Sequence, residues 1–128
     1  MVEADFQVKF TRWAKYNIKT SCAFELKIAK EKSLPFSAIQ PHQIEALSIA
    51  KHSTLIHKIS DGGYQQTPFD CFTLSGSEAY VVIMFYKRGQ KEFYMIDIDV
   101  FISEMNTSIR KSITAERAKQ IGTTCFLA

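Results

Sequence analysis

The sequence predicts an α/β fold, a central mixed β-sheet flanked by helices, in a single domain over residues 1–128. Three observations carry this. Helical periodicity alternates with strand-like runs along the chain. One run, Ala79-Tyr80-Val81-Val82-Ile83-Met84-Phe85-Tyr86, is apolar at both parities, which suits a central strand covered on both faces. The composition is 46% hydrophobic and 23% charged, with ten Phe, five Tyr and one Trp, so 128 residues suffice for one real core.

The elements follow in order. Residues 3–17 read as a helix, because Phe6, Phe10, Trp13 and Asn17, joined by Ala14, recur on one face. Lys9, Arg12, Lys15 and Tyr16 lie mainly on the other side. Glu3 and Asp5 fall in the first turn, where the helix dipole favours a carboxylate. Glu3 also borders the apolar face, so it can point into a cleft. A strand follows at about 21–29, then a charged turn, Lys30-Glu31-Lys32-Ser33. A second helix is expected over 39–51, with Pro41 in its first turn, where the missing N–H costs little. Gln43 shares a face with Leu47 and can project toward the sheet.

Residues 54–60 read as a strand, Asp61-Gly62-Gly63 as a turn and 64–67 as a polar loop. The run 68–74 is a short strand that begins at Pro68, a tolerated place. The central strand 79–86, a hairpin loop at 87–90 and a strand at 92–98 come next. A short helix is expected at about 98–106. A last helix, 115–121, is capped by Thr114 and ended by Gly122.

Charge and cysteine content limit the function classes. The formal net charge of +3 permits a polyanionic partner without demanding one. Seven of the sixteen basic residues, Lys9 to Lys32, fall in the first quarter. Three isolated cysteines with no C-x-x-C pair argue against a zinc site or a disulfide framework. Free buried thiols at Cys22 and Cys71 fit a reducing, intracellular setting, and a cytoplasmic location is expected. The longest apolar run is eight residues, too short to cross a membrane, and no secretory signal is read. No glycine-rich phosphate loop is present, which excludes a P-loop enzyme.

The chemistry centres on Phe24-Glu25-Leu26-Lys27. On a strand, Ala23, Glu25 and Lys27 share one face, while Phe24, Leu26 and Ile28 share the other. Two opposite charges side by side form either a surface ion pair or half of a site. Asp70, between Phe69 and Cys71, supplies a second carboxylate. Glu25, Asp70 and the Leu26 carbonyl offer oxygen ligands for Mg²⁺, with Mn²⁺ as substitute. Such an ion polarises a scissile phosphate and acidifies an attacking water, and Lys27 stabilises the developing charge. Lys58, Tyr64, Lys30 and Arg12 are candidates for nucleic-acid phosphate contacts. Glu3 and Asp61 are accessory candidates, Asp61 being the rival of Asp70 as metal ligand.

These pieces resemble the PD-(D/E)xK nuclease superfamily and, within it, the Holliday junction resolvase-like branch. The matching residues are Phe24-Glu25-Leu26-Lys27 for the E-x-K half and Pro68-Phe69-Asp70 for the P-D half. Leu34-Pro35-Phe36 and Pro41-His42-Gln43-Ile44-Glu45-Ala46-Leu47 resemble the segment after E-x-K, whose helix carries a glutamine toward the site. Lys58-Ile59-Ser60-Asp61 and the strand Ala79 to Phe85 extend the likeness over about residues 3–98.

The resemblance implies a restriction-endonuclease-like core and a metal-dependent endonuclease acting on DNA phosphodiesters, branched junctions included. It implies catalytic roles for Asp70, Glu25, Lys27 and Gln43, and a homodimer, since junction resolution needs two active sites. The motif order is inverted here, because Asp70 follows Glu25 by 45 positions. The expectation is a migrated hairpin, 54–74, that places Asp70 on a strand beside Glu25. The alternative is a catalytically inactive nucleic-acid-binding protein of the same fold.

Overall fold

The computed structural model describes residues 2–59 and 68–127. The chain runs α1 (Glu3–Asn17), β1 (Cys22–Ala29), β2 (Ser33–Pro35), a 3-10 turn (Phe36–Ala38), α2 (Pro41–His52), β3 (Thr54–Lys58), β4 (Cys71–Ser75), β5 (Glu78–Phe85), β6 (Glu92–Asp97), α3 (Ile98–Thr107), β7 (Ser112–Thr114), α4 (Ala115–Ile121) and β8 (Thr123–Phe126). The architecture is mixed α/β, with a four-stranded sheet in the order β1-β5-β6-β8. β1 runs parallel to β5, while β6 is antiparallel to both β5 and β8.

β5 lies inside the sheet because both of its faces are apolar. Val81, Ile83 and Phe85 face a core shared with α2, α3 and α4, while Val82 and Met84 face α1. Along β6, Tyr94 and Ile96 join the first core and Phe93 and Met95 the second. The helices therefore cover opposite faces of one sheet, as a sheet apolar on both faces requires.

The α1 face is built from aromatic rings. Phe6 and Phe10 are buried, and Phe10 meets Phe24 edge-on with centroids 4.9 Å apart. Trp13 meets Phe93 at 88° and 5.0 Å. Pairs of this geometry add about 0.5–1.5 kcal/mol each beyond area burial. Helix periodicity in the sequence anticipated this face.

Short strands that composition does not announce close the fold. β2 pairs with β7 and pins the chain after β1 to the segment before α4. β8 pairs with β6 and forms the second sheet edge. Gly122 ends α4 as expected, though not through a left-handed cap, since its φ is −110°. A Cβ there would lie 2.9 Å from the carbonyl oxygens of Ala118 and Met95. Glycine is needed for close approach.

β3 and β4 form a separate two-stranded sheet. Only Leu55 and Leu74 are half-buried in it, and Ile56 and Phe72 are exposed. Cys71 is consequently exposed, not buried as its apolar neighbours suggested, because the ribbon stands outside the core.

Candidate functional site

Glu25 and Lys27 sit on β1, which is an edge strand with β5 as its partner in the sheet. Phe24, Leu26 and Ile28 pack into the α1-side core, so parity turns Glu25 and Lys27 to the α2 face. The Leu26 side chain thus anchors the strand between the two charged residues.

α2 delivers Gln43. Its Oε1 accepts from the Gln40 backbone N–H at 2.9 Å, which caps the helix start. Its Nε2 then points to β1 and donates to Glu25 Oε1 at 3.0 Å. Leu47, one turn later on the same face, is buried in the core and fixes the helix orientation. The amide is oriented by two bonds from opposite ends, so Gln43 positions the carboxylate.

Lys27 Nζ lies 3.5 Å from Glu25 Oε1 and 3.9 Å from Glu3 Oε1. Glu3 reaches the cluster from the first turn of α1. Three elements distant in sequence therefore meet at the free edge of β1. Lys27 and Glu25 are 17% and 24% exposed and Glu3 is 44% exposed. Both ammonium distances exceed a hydrogen bond of about 3.2 Å. The ammonium is thus held between two carboxylates without being locked to either.

The expected partner strand for Asp70 is absent from this arrangement. β1 is bonded to β5, and β4 is bonded to β3 in its own sheet. Asp70 precedes β4, is exposed, and accepts the Ile59 N–H at its backbone carbonyl. The reason is topological. β5, apolar on both faces, takes the parallel place beside β1, and the more polar hairpin is left outside. Among the described residues no group of three or more His, Cys, Asp or Glu side chains is arranged to hold a metal. Asp61 and Tyr64 lie outside the described residues. Lys58 is exposed on the β3–β4 ribbon, while Lys30 and Arg12 line two cavities that share Tyr86 on the body of the fold.

The donor type at the β1 edge, carboxylate oxygen, is the one magnesium takes, commonly from one or two carboxylates with waters. Glu25 and Glu3 are two such groups, both within 4 Å of one ammonium. Glu3, ranked as accessory from sequence, is the carboxylate that the fold brings closest to the E-x-K pair.

Two further polar clusters escaped the sequence reading. Lys51 Nζ lies 2.7 Å from both Asp97 and Asp99, and His52 bonds Asp99 at 2.8 Å. The Lys51 hydrogen bond, followed by that of His52, holds the Asp99 carboxyl below the usual carboxylate range. Asp97 also accepts from the N–H groups of Asp99 and Val100 and caps α3. This cluster ties the end of α2 to the start of α3. The other joins Thr20 and Tyr80, whose hydroxyls both donate to Glu78. Those bonds lower the Glu78 carboxyl, and the bond to Glu78 raises the Tyr80 phenol. Asp97 before a helical run is a capping signal that sequence offers; the lysine that meets it is not.

No helix of the described residues is long and apolar enough to cross a membrane. Comparison with protein-family models, with curated proteins and with solved structures found no match to this chain.

Proposed function

We propose that the chain is a divalent-metal-dependent endonuclease hydrolysing DNA phosphodiester bonds at the free edge of β1. The observation that carries this reading is the convergence on Glu25: Gln43 of α2 and Lys27 of β1 both address its Oε1, and Glu3 of α1 lies 3.9 Å from the same Lys27 ammonium. Gln43 holds the Glu25 carboxylate in place. Glu25 and Glu3 would hold magnesium, which when bound polarises the phosphate and acidifies water. Lys27, only loosely paired, is free to turn its ammonium toward the charge that builds on the phosphoryl oxygens. Four-way junctions are the proposed substrate class, cleaved by a homodimer with two such sites.

The test is incubation with labelled four-way junction, duplex and single-stranded DNA in Mg²⁺ or Mn²⁺. Metal-dependent cleavage of the junction, lost in Glu25→Gln and Lys27→Met, supports the reading. No cleavage of any substrate, or cleavage that survives both substitutions, rejects it.

A second reading has one observation in its favour. The P-D carboxylate stands on a separate ribbon, which leaves two carboxylates at the β1 edge, one of them 44% exposed. On this reading the protein binds nucleic acid without cutting it. Salt-dependent DNA binding that needs no metal, with no cleavage product, distinguishes it.

A further inference from the structure

We infer that a two-lobed groove centred on Tyr86 is a binding site for single-stranded nucleic acid. The inference stands apart from the nuclease reading, because Glu3, Glu25, Lys27 and Gln43 do not line the groove.

The first lobe is a cavity of about 600 Å³ at the carboxyl ends of the parallel strands β1 and β5. This is where open α/β sheets place their ligands. Lys30, Lys32, Lys87 and Arg110 line it. The second lobe, about 530 Å³, lies between α1 and the β5–β6 turn. Lys9, Arg12 and Lys91 line this one. Tyr86 lines both lobes, and its backbone N–H is fixed to the Ala29 carbonyl at 2.7 Å.

Charge identifies the ligand as a polyanion. Seven cations face two carboxylates, Glu31 and Glu116, over the two lobes. Among the described residues none of the seven is in an ion pair, whereas Lys27, Lys51, Arg117 and Lys119 all are. Unpaired cations lining two concave surfaces that share Tyr86 lower the free energy of a phosphate chain laid across them and release its counterions.

The aromatic residues identify the polyanion as unpaired nucleic acid. Trp13 packs against Phe10 and Phe93 on its core side and also lines the second lobe. Tyr16 lines the same lobe and is 69% exposed, so it serves no core. With Tyr86, three rings are interleaved with the cations. Bases stack on such rings only when they are free of a duplex, and every base offers a π-face. A duplex keeps its bases stacked on one another and leaves the rings no free base to pair with.

Trp13 is the only tryptophan in the chain, so its fluorescence reports on the groove. The experiment titrates the full chain with a short oligothymidylate in EDTA, which removes catalysis from the readout. Saturable quenching is expected, tighter for the single strand than for a duplex of equal length. Tyr86→Leu and Tyr16→Ser should each weaken binding, by about 5- to 150-fold where the lost ring stacks a base. Tyr16→Ser replaces an exposed residue and keeps the test valid if Tyr86→Leu fails to fold. Arg12→Ala and Lys87→Ala should each reduce the salt slope by about one. Lys51→Met, outside the groove, should leave binding unchanged. Absence of quenching, duplex binding as tight as single-strand binding, or equal binding of heparin or phosphatidylserine vesicles overturns the proposal. A protein that cleaves nothing but binds the oligonucleotide supports the groove and rejects the nuclease; the converse result does the opposite.

Discussion

Replacing Lys27 by Met separates a residue held for chemistry from one held for structure. Met keeps most of the apolar stem, so the substitution mainly removes the ammonium. That ammonium makes two contacts, 3.5 Å to Glu25 and 3.9 Å to Glu3, both beyond hydrogen-bond length. A solvent-screened ion pair contributes about 0–1 kcal/mol, and Glu3 is 44% exposed, so the weaker pair belongs near the bottom of that range. Glu25 does not become an orphan, since Gln43 still donates to it at 3.0 Å. The expected loss is therefore about 1 kcal/mol. With a urea slope of about 1–3 kcal/mol/M, the unfolding midpoint falls by roughly 0.3–1 M. Cleavage should drop by about a hundredfold or more, the usual consequence of removing a group that stabilises developing charge. Urea unfolding by circular dichroism and a junction-cleavage time course measure the two quantities. A stability loss above about 2.5 kcal/mol would refute the reasoning, because Lys27 would then be a structural tie whose loss costs activity indirectly. Full cleavage by a stable Lys27→Met protein would refute it from the other side.

Three further outcomes are expected. Glu3→Gln should raise the metal concentration needed for half-maximal cleavage by about tenfold, while Asp70→Asn stays near wild type; a loss confined to Asp70→Asn would instead place the second ligand on the β3–β4 ribbon. Gly122→Ala should destabilise by about 1–3 kcal/mol in urea unfolding, because the added Cβ meets two backbone carbonyls at 2.9 Å and neither is a flexible side-chain end. The Asp99 carboxyl is held low by Lys51 and then His52, so its contribution is fully present above the unfolded carboxylate value of roughly 3.9 and is lost as pH falls through the lower native value. The stability gap between wild type and Asp99→Asn in urea should accordingly narrow as pH is lowered from about 6 to about 3. A gap that is constant over that range would mean the carboxylate is not what ties α2 to α3.

Local pattern determined much of this protein. The double-sided apolarity of Val81 to Phe85 placed β5 inside the sheet, since no other position covers both faces of a strand. Helix periodicity picked out Phe6 and Phe10 as core, and strand parity set Glu25 and Lys27 opposite Phe24 and Leu26. The shared face of Gln43 and Leu47 placed the amide toward β1. Each of these follows from periods of 3.6 or 2, which a sequence carries in full.

Tertiary structure decided which charged groups meet. Asp70 and Glu3 are both carboxylates near apolar neighbours, and sequence ranked Asp70 first. The ranking depended on which strand lies beside β1, a choice governed by competition between β5 and the hairpin for burial. β5 buries both faces there, whereas the β3–β4 ribbon leaves Ile56 and Phe72 exposed. β2, β7 and β8, each of three or four residues, form because distant segments supply their hydrogen-bond partners. The Tyr86 groove has the same origin: its cations and rings are scattered from Lys9 to Arg110, and only the meeting of α1 with the ends of β1 and β5 brings them around Tyr86. Pairing between segments far apart in the chain leaves no periodic trace in either one, so those contacts could be read only from the fold.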